Sequence, residues 1–118
     1  MIRDPNDEEV PWKVTEEKVA EAVKTIAHAA NPVKIFVFGS YVRGSHGRSS
    51  DLDMLVVLRE EPGSPRAESI RLRDAVSHVR MPMDIFVVSD NRLRELSERP
   101  GLIYREILRS GRVVYAAG

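Results

Sequence analysis

The sequence predicts an α/β (α+β) domain in which a small mixed β-sheet is flanked by helices. Three observations carry this reading. Short β-branched and aromatic runs alternate with helical periodicity along most of the chain. Two of the runs, 33–38 and 51–58, are joined by a glycine-rich link too short for a crossover helix, which makes them antiparallel neighbours. A third run, 81–89, follows the second after a segment with helical period, which suits a parallel crossover.

At 118 residues the chain has the length of one domain and can bury a core without disulfides or a structural metal. It contains no cysteine, which excludes a disulfide scaffold, a thiolate zinc site and a cysteine nucleophile. That absence fits a reducing compartment, and the expected location is cytoplasmic. No apolar run approaches the ~20 residues of a membrane span, so no membrane partner is expected. The formal net charge is zero, from 18 basic and 18 acidic side chains. Direct nucleic-acid binding by broad phosphate neutralisation is therefore not expected. Eleven of the fourteen arginines nevertheless lie from Arg59 onward, which leaves room for a local arginine face.

Residues 1–14 carry prolines, mixed charge and no period, and they read as an N-terminal extension to a domain over 15–118. Trp12, within that extension, either packs back on the body or meets a partner. A helix opens at Thr15, a suitable N-cap, with Val19, Val23, Ile26, Ala27 and Ala30 on one stripe, and Asn31-Pro32 ends it. "VKIFVF" (33–38) is the first strand. "DLDMLVVL" (51–58) is the second. From Leu52 it is apolar on both faces except at Asp53, the pattern of a central strand. After the polar loop 59–65 a helix over 66–79 is expected, with Ala67, Ile70, Val76 and Val79 inward. "MPMDIFVVS" (81–89) is the third strand, and Ser89 or Asp90 caps a helix over 91–98. "LIYREILRS" forms the last helix, closed by Gly111 in the C′ role, and "RVVYA" forms a short final strand.

The strand directions then place chemistry. With strand one running against strand two, Gly39-Ser40 lies beside the start of strand two, Asp51-x-Asp53. With strand three parallel to strand two, its first turn brings Asp84 to the same edge. Period two puts Asp51 and Asp53 on one face. Two carboxylates ~5 Å apart at an effective dielectric of about 20 repel by roughly 3 kcal/mol, and no lysine or arginine is placed in the strand segments beside them. A hard divalent cation with oxygen ligands is the simplest neutraliser, with magnesium the leading choice because it also takes substrate phosphates. Gly39 permits close backbone approach, and Ser40 opens a short helical turn suited to an anion. Arg43, His46, Arg48, Ser49 and Ser50 add donors in a link that holds no acid before Asp51. A Gly-Ser pair or an Asp-x-Asp alone is weak evidence. The ordered conjunction of strand, Gly-Ser, ten residues, Asp-x-Asp, helix and a third Asp is specific, and it describes a site for a nucleoside triphosphate with magnesium.

These residues resemble the nucleotidyltransferase superfamily with the polymerase β-like fold, and in particular its small branch, the minimal nucleotidyltransferases (MNT proteins). The signature of that branch is Gly-Ser, ten residues, Asp-x-Asp. It reads here as Gly39-Ser40, 41–50, Asp51-Leu52-Asp53, with Asp84 following in "MDIFVV". The resemblance runs from the helix at 16 to the closing "RSGRVVYA" and leaves the extension uncovered; Val42 stands where many members have alanine. It implies the nucleotidyltransferase fold and a magnesium-dependent enzyme. That enzyme transfers AMP from ATP to a tyrosine of a partner HEPN ribonuclease toxin, acts as its antitoxin, and forms a hetero-oligomer with it. The resemblance further implies that Asp51 and Asp53 hold two magnesium ions. Asp84 binds one of them and helps deprotonate the attacking hydroxyl, while Gly39 and Ser40 hold the triphosphate. Arg43 and Ser50 are added from the link as nucleotide-binding residues. The residues leave three alternatives open: an RNA or small-molecule acceptor, inhibition by protein contact alone through the arginine-rich helices of 66–109, and a metal-binding regulatory domain.

Overall fold

The computed structural model describes residues 13–44 and 51–117. The elements are α1 (Glu16–Ala30), β1 (Lys34–Phe38), α2 (Ser40–Arg43), β2 (Leu52–Leu58), α3 (Pro65–Ala75), β3 (Met83–Ser89), α4 (Asp90–Ser97), α5 (Ile103–Ser110) and β4 (Arg112–Ala116). One mixed sheet of four strands has the order β3-β2-β1-β4. β1 pairs antiparallel with β2 and with β4, and β2 pairs parallel with β3, so both predicted strand directions hold. The extension up to Trp12 lies outside the described residues, as do His46, Arg48, Ser49 and Ser50.

The alternation of side chains along the strands builds two cores. Ile35, Val37, Met54, Val56 and Ile85 face one way and meet Val19, Val23 and Ile26 of α1 and Leu72 of α3. Phe36, Phe38, Leu55, Val57 and Val88 face the other way and meet Leu93 of α4 and Ile107 of α5. β2 is buried along both faces except at Asp53, as expected for a strand with paired neighbours on each side and helices above and below.

Local signals set the boundaries. Thr15 accepts a hydrogen bond from the Lys18 backbone N–H at 3.2 Å and caps α1. Asn31 ends that helix in the left-handed region at φ 47°. Ser64 caps α3 through the Ala67 N–H, Pro65 occupies the first turn, and Ser89 caps α4 through the Arg92 N–H. Strand β3 opens at Met83 because Pro82 has no N–H to give. Its carbonyl still accepts from Leu52 N–H at 2.9 Å, so the ladder reaches one residue further.

Two expectations are corrected. The inward stripe of α3 is Ser69, Leu72 and Val76, followed by Val79 in the turn beyond, while Ile70 is 60% exposed and Ala67 faces solvent. Leu72 sits roughly 200° around the helix from Ile70, so both cannot face the sheet. Ser69 occupies the inner position because its hydroxyl donates to the Ile85 carbonyl. Gly111 is the cap of α5, but its backbone is extended (φ −73°, ψ 162°) and not left-handed. Its need for glycine is spatial: a Cβ there would stand 2.6 Å from the Ile107 carbonyl oxygen and 3.3 Å from that of Val37.

The α3 correction is tested by paired truncations. Leu72→Ala should cost about 2–5 kcal/mol in urea unfolding, by loss of burial and opening of a cavity. Ile70→Ala should change stability by less than about 0.5 kcal/mol. The reverse order would restore the stripe read from the sequence.

Candidate active site

The register of the sheet assembles the carboxylates. Phe38, the last residue of β1, pairs with Asp53, and Asp53 pairs with Asp84 across the parallel ladder. All three point to the α4–α5 face, since Phe38 and Leu55 do. Asp51 lies just before β2, exposed, and near enough for its charge to act on both Asp53 and Asp84.

The chain turns at Gly39 (φ 78°, ψ −150°), a conformation open in practice only to glycine. Space imposes a second demand on the same residue, because a Cβ on Gly39 would collide with Oδ2 of Asp53. The backbone reversal and the carboxylate are thus in direct contact. Ser40 follows as the first residue of the single-turn helix α2, which closes with a bond from Arg43 N–H to the Gly39 carbonyl at 3.2 Å.

Electrostatics mark the same edge. Burial raises the Asp53 pKa above its ordinary value of 3.8, the charges on Asp84 and Asp51 add to this, and Arg43 opposes it. Burial also raises the Asp84 pKa, reinforced by the charge of Asp51 and by the hydrogen bond with it, against Arg73. As read from the sequence, the strands beside the acids carry no basic residue there, and the opposing charges come from outside the sheet. Arg43 approaches from α2, and Arg73 of α3 stands 3.9 Å from Asp84. Arg43 was expected from the link, whereas Arg73 was not foreseen because it lies in a helix. At that separation, and with both side chains about half exposed, the Arg73 pair leaves most of the repulsion in place. Among the described residues no three His, Cys, Asp or Glu side chains close around a single point at metal-ligating distance. The carboxylates are joined by field and register. As hard oxygen donors with raised proton affinity and incomplete neutralisation, they suit a hard divalent cation.

Beside Asp53 lies a cleft of about 340 Å³, lined by Gly39, Ser40, Arg43 and Asp53 on one side and by Ile103, Glu106 and Ser110 of α5 on the other. Of the site residues read from the sequence, the structure brings together Gly39, Ser40, Arg43, Asp51, Asp53 and Asp84; Ser50 lies outside the described residues. The α5 wall was not foreseen. In "LIYREILRS" Glu106 is one of several polar residues beside Arg105, Arg109 and Ser110, so no local signal singled it out. A larger hollow of about 1100 Å³ runs along α1 beside Tyr41 and Tyr115, and none of the three carboxylates lines it. Among the described residues no helix is long and apolar enough to cross a membrane.

Comparison with known proteins places this geometry. Over residues 20–117 the chain matches the family described as Polymerase beta, Nucleotidyltransferase. No curated protein matches the sequence. Among solved structures, it is similar to a candidate nucleotidyltransferase from Sulfolobus solfataricus at 15% identity and a TM-score of 0.60, covering 98% of this chain and 92% of that one. It is also similar to a toxin–antitoxin solved with AMP-PNP, at 19% identity and a TM-score of 0.53, covering 83% and 73%. A variant of the MntA-HpeT toxin–antitoxin aligns at 17% identity and a TM-score of 0.57, covering 89% and 75%. At such identities the structural likenesses speak for the fold, and the family match speaks for descent. With a sheet order, a Gly-Ser turn and an in-register acid pair that agree with that match, this chain belongs to the polymerase β-type nucleotidyltransferase family.

Proposed function

We propose that this protein is a magnesium-dependent nucleotidyltransferase of the MNT type. It transfers AMP from ATP to a tyrosine hydroxyl of a partner HEPN ribonuclease toxin and so acts as its antitoxin, in the cytoplasm and in a hetero-oligomer with the toxin. The observation that carries the reading is Gly39 packed against Asp53, with Asp84 in register beside it, in a chain of the nucleotidyltransferase family. The toxin partner is supported by the likeness to two toxin–antitoxin structures.

Asp51, Asp53 and Asp84 would hold two magnesium ions. When bound, the metal supplies positive charge at the α-phosphate, the incoming oxygen and the leaving pyrophosphate. The chain's own residues do the rest. Gly39 leaves backbone open to the triphosphate, Ser40 offers its hydroxyl, and Arg43, at the cleft wall, offers charge to the phosphates. Ser50 is the further nucleotide-binding residue expected from the sequence. The acceptor oxygen bonds to the α-phosphorus as the bond to the bridging oxygen of pyrophosphate breaks. The acceptor proton would pass to Asp84, the carboxylate in register beside Asp53. A phenol with pKa ≈ 10 needs that help at neutral pH.

A protein acceptor suits the surface around the acids. Phe86, two residues from Asp84 on the same face, is 49% exposed, and its ring lies 6.0 Å from that of Phe38. Several of the arginines that would support inhibition by contact alone are engaged in pairs within the chain. Arg71 pairs with Glu68, Arg94 with Asp90 and Arg109 with Glu106, while Arg105 donates to the Ser97 and Glu98 carbonyls.

The test is incubation with α-labelled ATP, magnesium and candidate acceptors, namely a co-purified toxin, RNA and small hydroxyl compounds. Label should appear on a protein tyrosine. Asp51→Asn and Asp53→Asn should each lower transfer by at least about a thousandfold. Full transfer by the double variant, or toxin neutralisation that survives it in cells, would remove the catalytic reading.

The same carboxylates give a pH signature in the metal-free protein. Folding raises the Asp53 and Asp84 pKa values, so the native state binds protons more tightly than the unfolded chain. The stability they contribute is present below the ordinary value of 3.8 and is lost as pH rises through the raised values. Asp53→Asn should therefore stabilise the metal-free protein at neutral pH, by up to about 1 kcal/mol after solvent screening. That gain should vanish near pH 3, and also on adding magnesium at neutral pH. Thermal melts across pH, with and without magnesium, read it directly; destabilisation at neutral pH would contradict the repulsion.

A further inference from the structure

The cleft has two chemically different ends. One is the Gly39-Ser40 turn with Asp53; the other is the inward side of α5, with Ile103, Glu106 and Ser110. Arg43 also lines the cleft, and its charge favours the ionised form of both Asp53 and Glu106. The Glu106 carboxylate is held from two sides. Oε1 accepts from Arg109 Nη2 at 2.8 Å, and Oε2 lies 2.6 Å from Ser110 Oγ. An ionised carboxylate has about four acceptor positions, so Glu106 is oriented and keeps acceptors to spare.

A fixed anion on this wall cannot face the triphosphate. Its complement is a neutral donor, and a vicinal diol offers two hydroxyls to one carboxylate. Ile103, 54% exposed on the same wall, supplies an apolar surface beside it.

We propose that Glu106, oriented by Arg109 and Ser110, forms the nucleoside-side subsite of the cleft. It accepts hydrogen bonds from the ribose hydroxyls of a nucleotide whose phosphates lie at Gly39-Ser40, while Ile103 covers an apolar face of the nucleoside. The inference rests on the nucleotidyltransferase reading above and extends it to a preference for ribonucleotides.

The experiment is calorimetric titration of the full chain with ATP and with 2′,3′-dideoxy-ATP, in magnesium and without an acceptor. The natural chain should bind ATP at least about tenfold more tightly than the dideoxy form, the scale of hydrogen bonds to a charged group. Glu106→Ala should weaken ATP by about that factor and leave the dideoxy nucleotide unchanged, so the preference collapses. Ile103→Ser should weaken both alike. Glu106 is exposed on a helix surface, so its variant should melt like the parent. Equal binding of the two nucleotides by the natural chain, or a preference that survives Glu106→Ala, overturns the subsite while leaving the transferase reading in place. Binding of neither nucleotide by the natural chain overturns both.

Discussion

The contact between Gly39 and Asp53 is the constraint on which the rest of the site depends. β1 must stop, reverse and release the chain into α2 within one residue, and a carboxylate from the neighbouring strand occupies the space where a side chain would stand. Only glycine meets both demands, one of angle and one of volume. Because Asp53 also pairs in register with Asp84, the same contact fixes the distance from the turn to the acid pair. On the proposed reading, a phosphate group bound at the turn would thereby lie beside the carboxylates, its spacing set by the backbone of β1 and β2.

Such an edge is costly for the free protein. Desolvation and mutual charge both raise the proton affinity of Asp53 and Asp84. The fold does not cancel this by seating a basic residue between them. Arg43 and Arg73 approach from helices at the rim, where their side chains are exposed and their fields screened. A tightly paired buried arginine would settle the acids and leave nothing for a cation to do. The partial compensation keeps the carboxylates available, which is how strain at a working site is ordinarily distributed.

Much of this was legible in the sequence because it depends on local rules. Period two puts Asp51 and Asp53 on one face. The short link 39–50 forces an antiparallel return, and the helical segment before 81 permits a parallel one, so Gly39, Asp53 and Asp84 converge from loop lengths alone. What was not legible depends on pairing between distant segments. Nothing local says that the final strand lies beside β1 and not beside β3. The stripe of α3 was misread for a related reason. Ile70 is the more apolar residue, but Ser69 has a carbonyl to bond across the helix–sheet interface, and that partner is visible only once β3 is in place. Of the basic neighbours of the acids, Arg43 was legible from the link, while Arg73 was missed because it comes from a helix whose placement against β3 is not local.

The distant pairing has a consequence for the cleft. β4 hydrogen-bonds to β1 on the side away from β2, and α5 must reach it through a single residue, Gly111. Gly111 donates to the Ile107 carbonyl at 2.8 Å, with no room for a side chain against Ile107 or the Val37 carbonyl. The end of α5 is therefore seated directly on β1, one residue before Phe38 and two before Gly39. That seating presents Glu106 and Ser110 to the space in front of Asp53. Two glycines near the end of β1 thus shape the cleft: Gly39, which admits a carboxylate, and Gly111 of the α5–β4 junction, which lets the helix pack against the Val37 carbonyl. The closing "RSGRVVYA" segment, which reads as a simple helix stop and edge strand, is what turns an acidic sheet edge into a two-walled site.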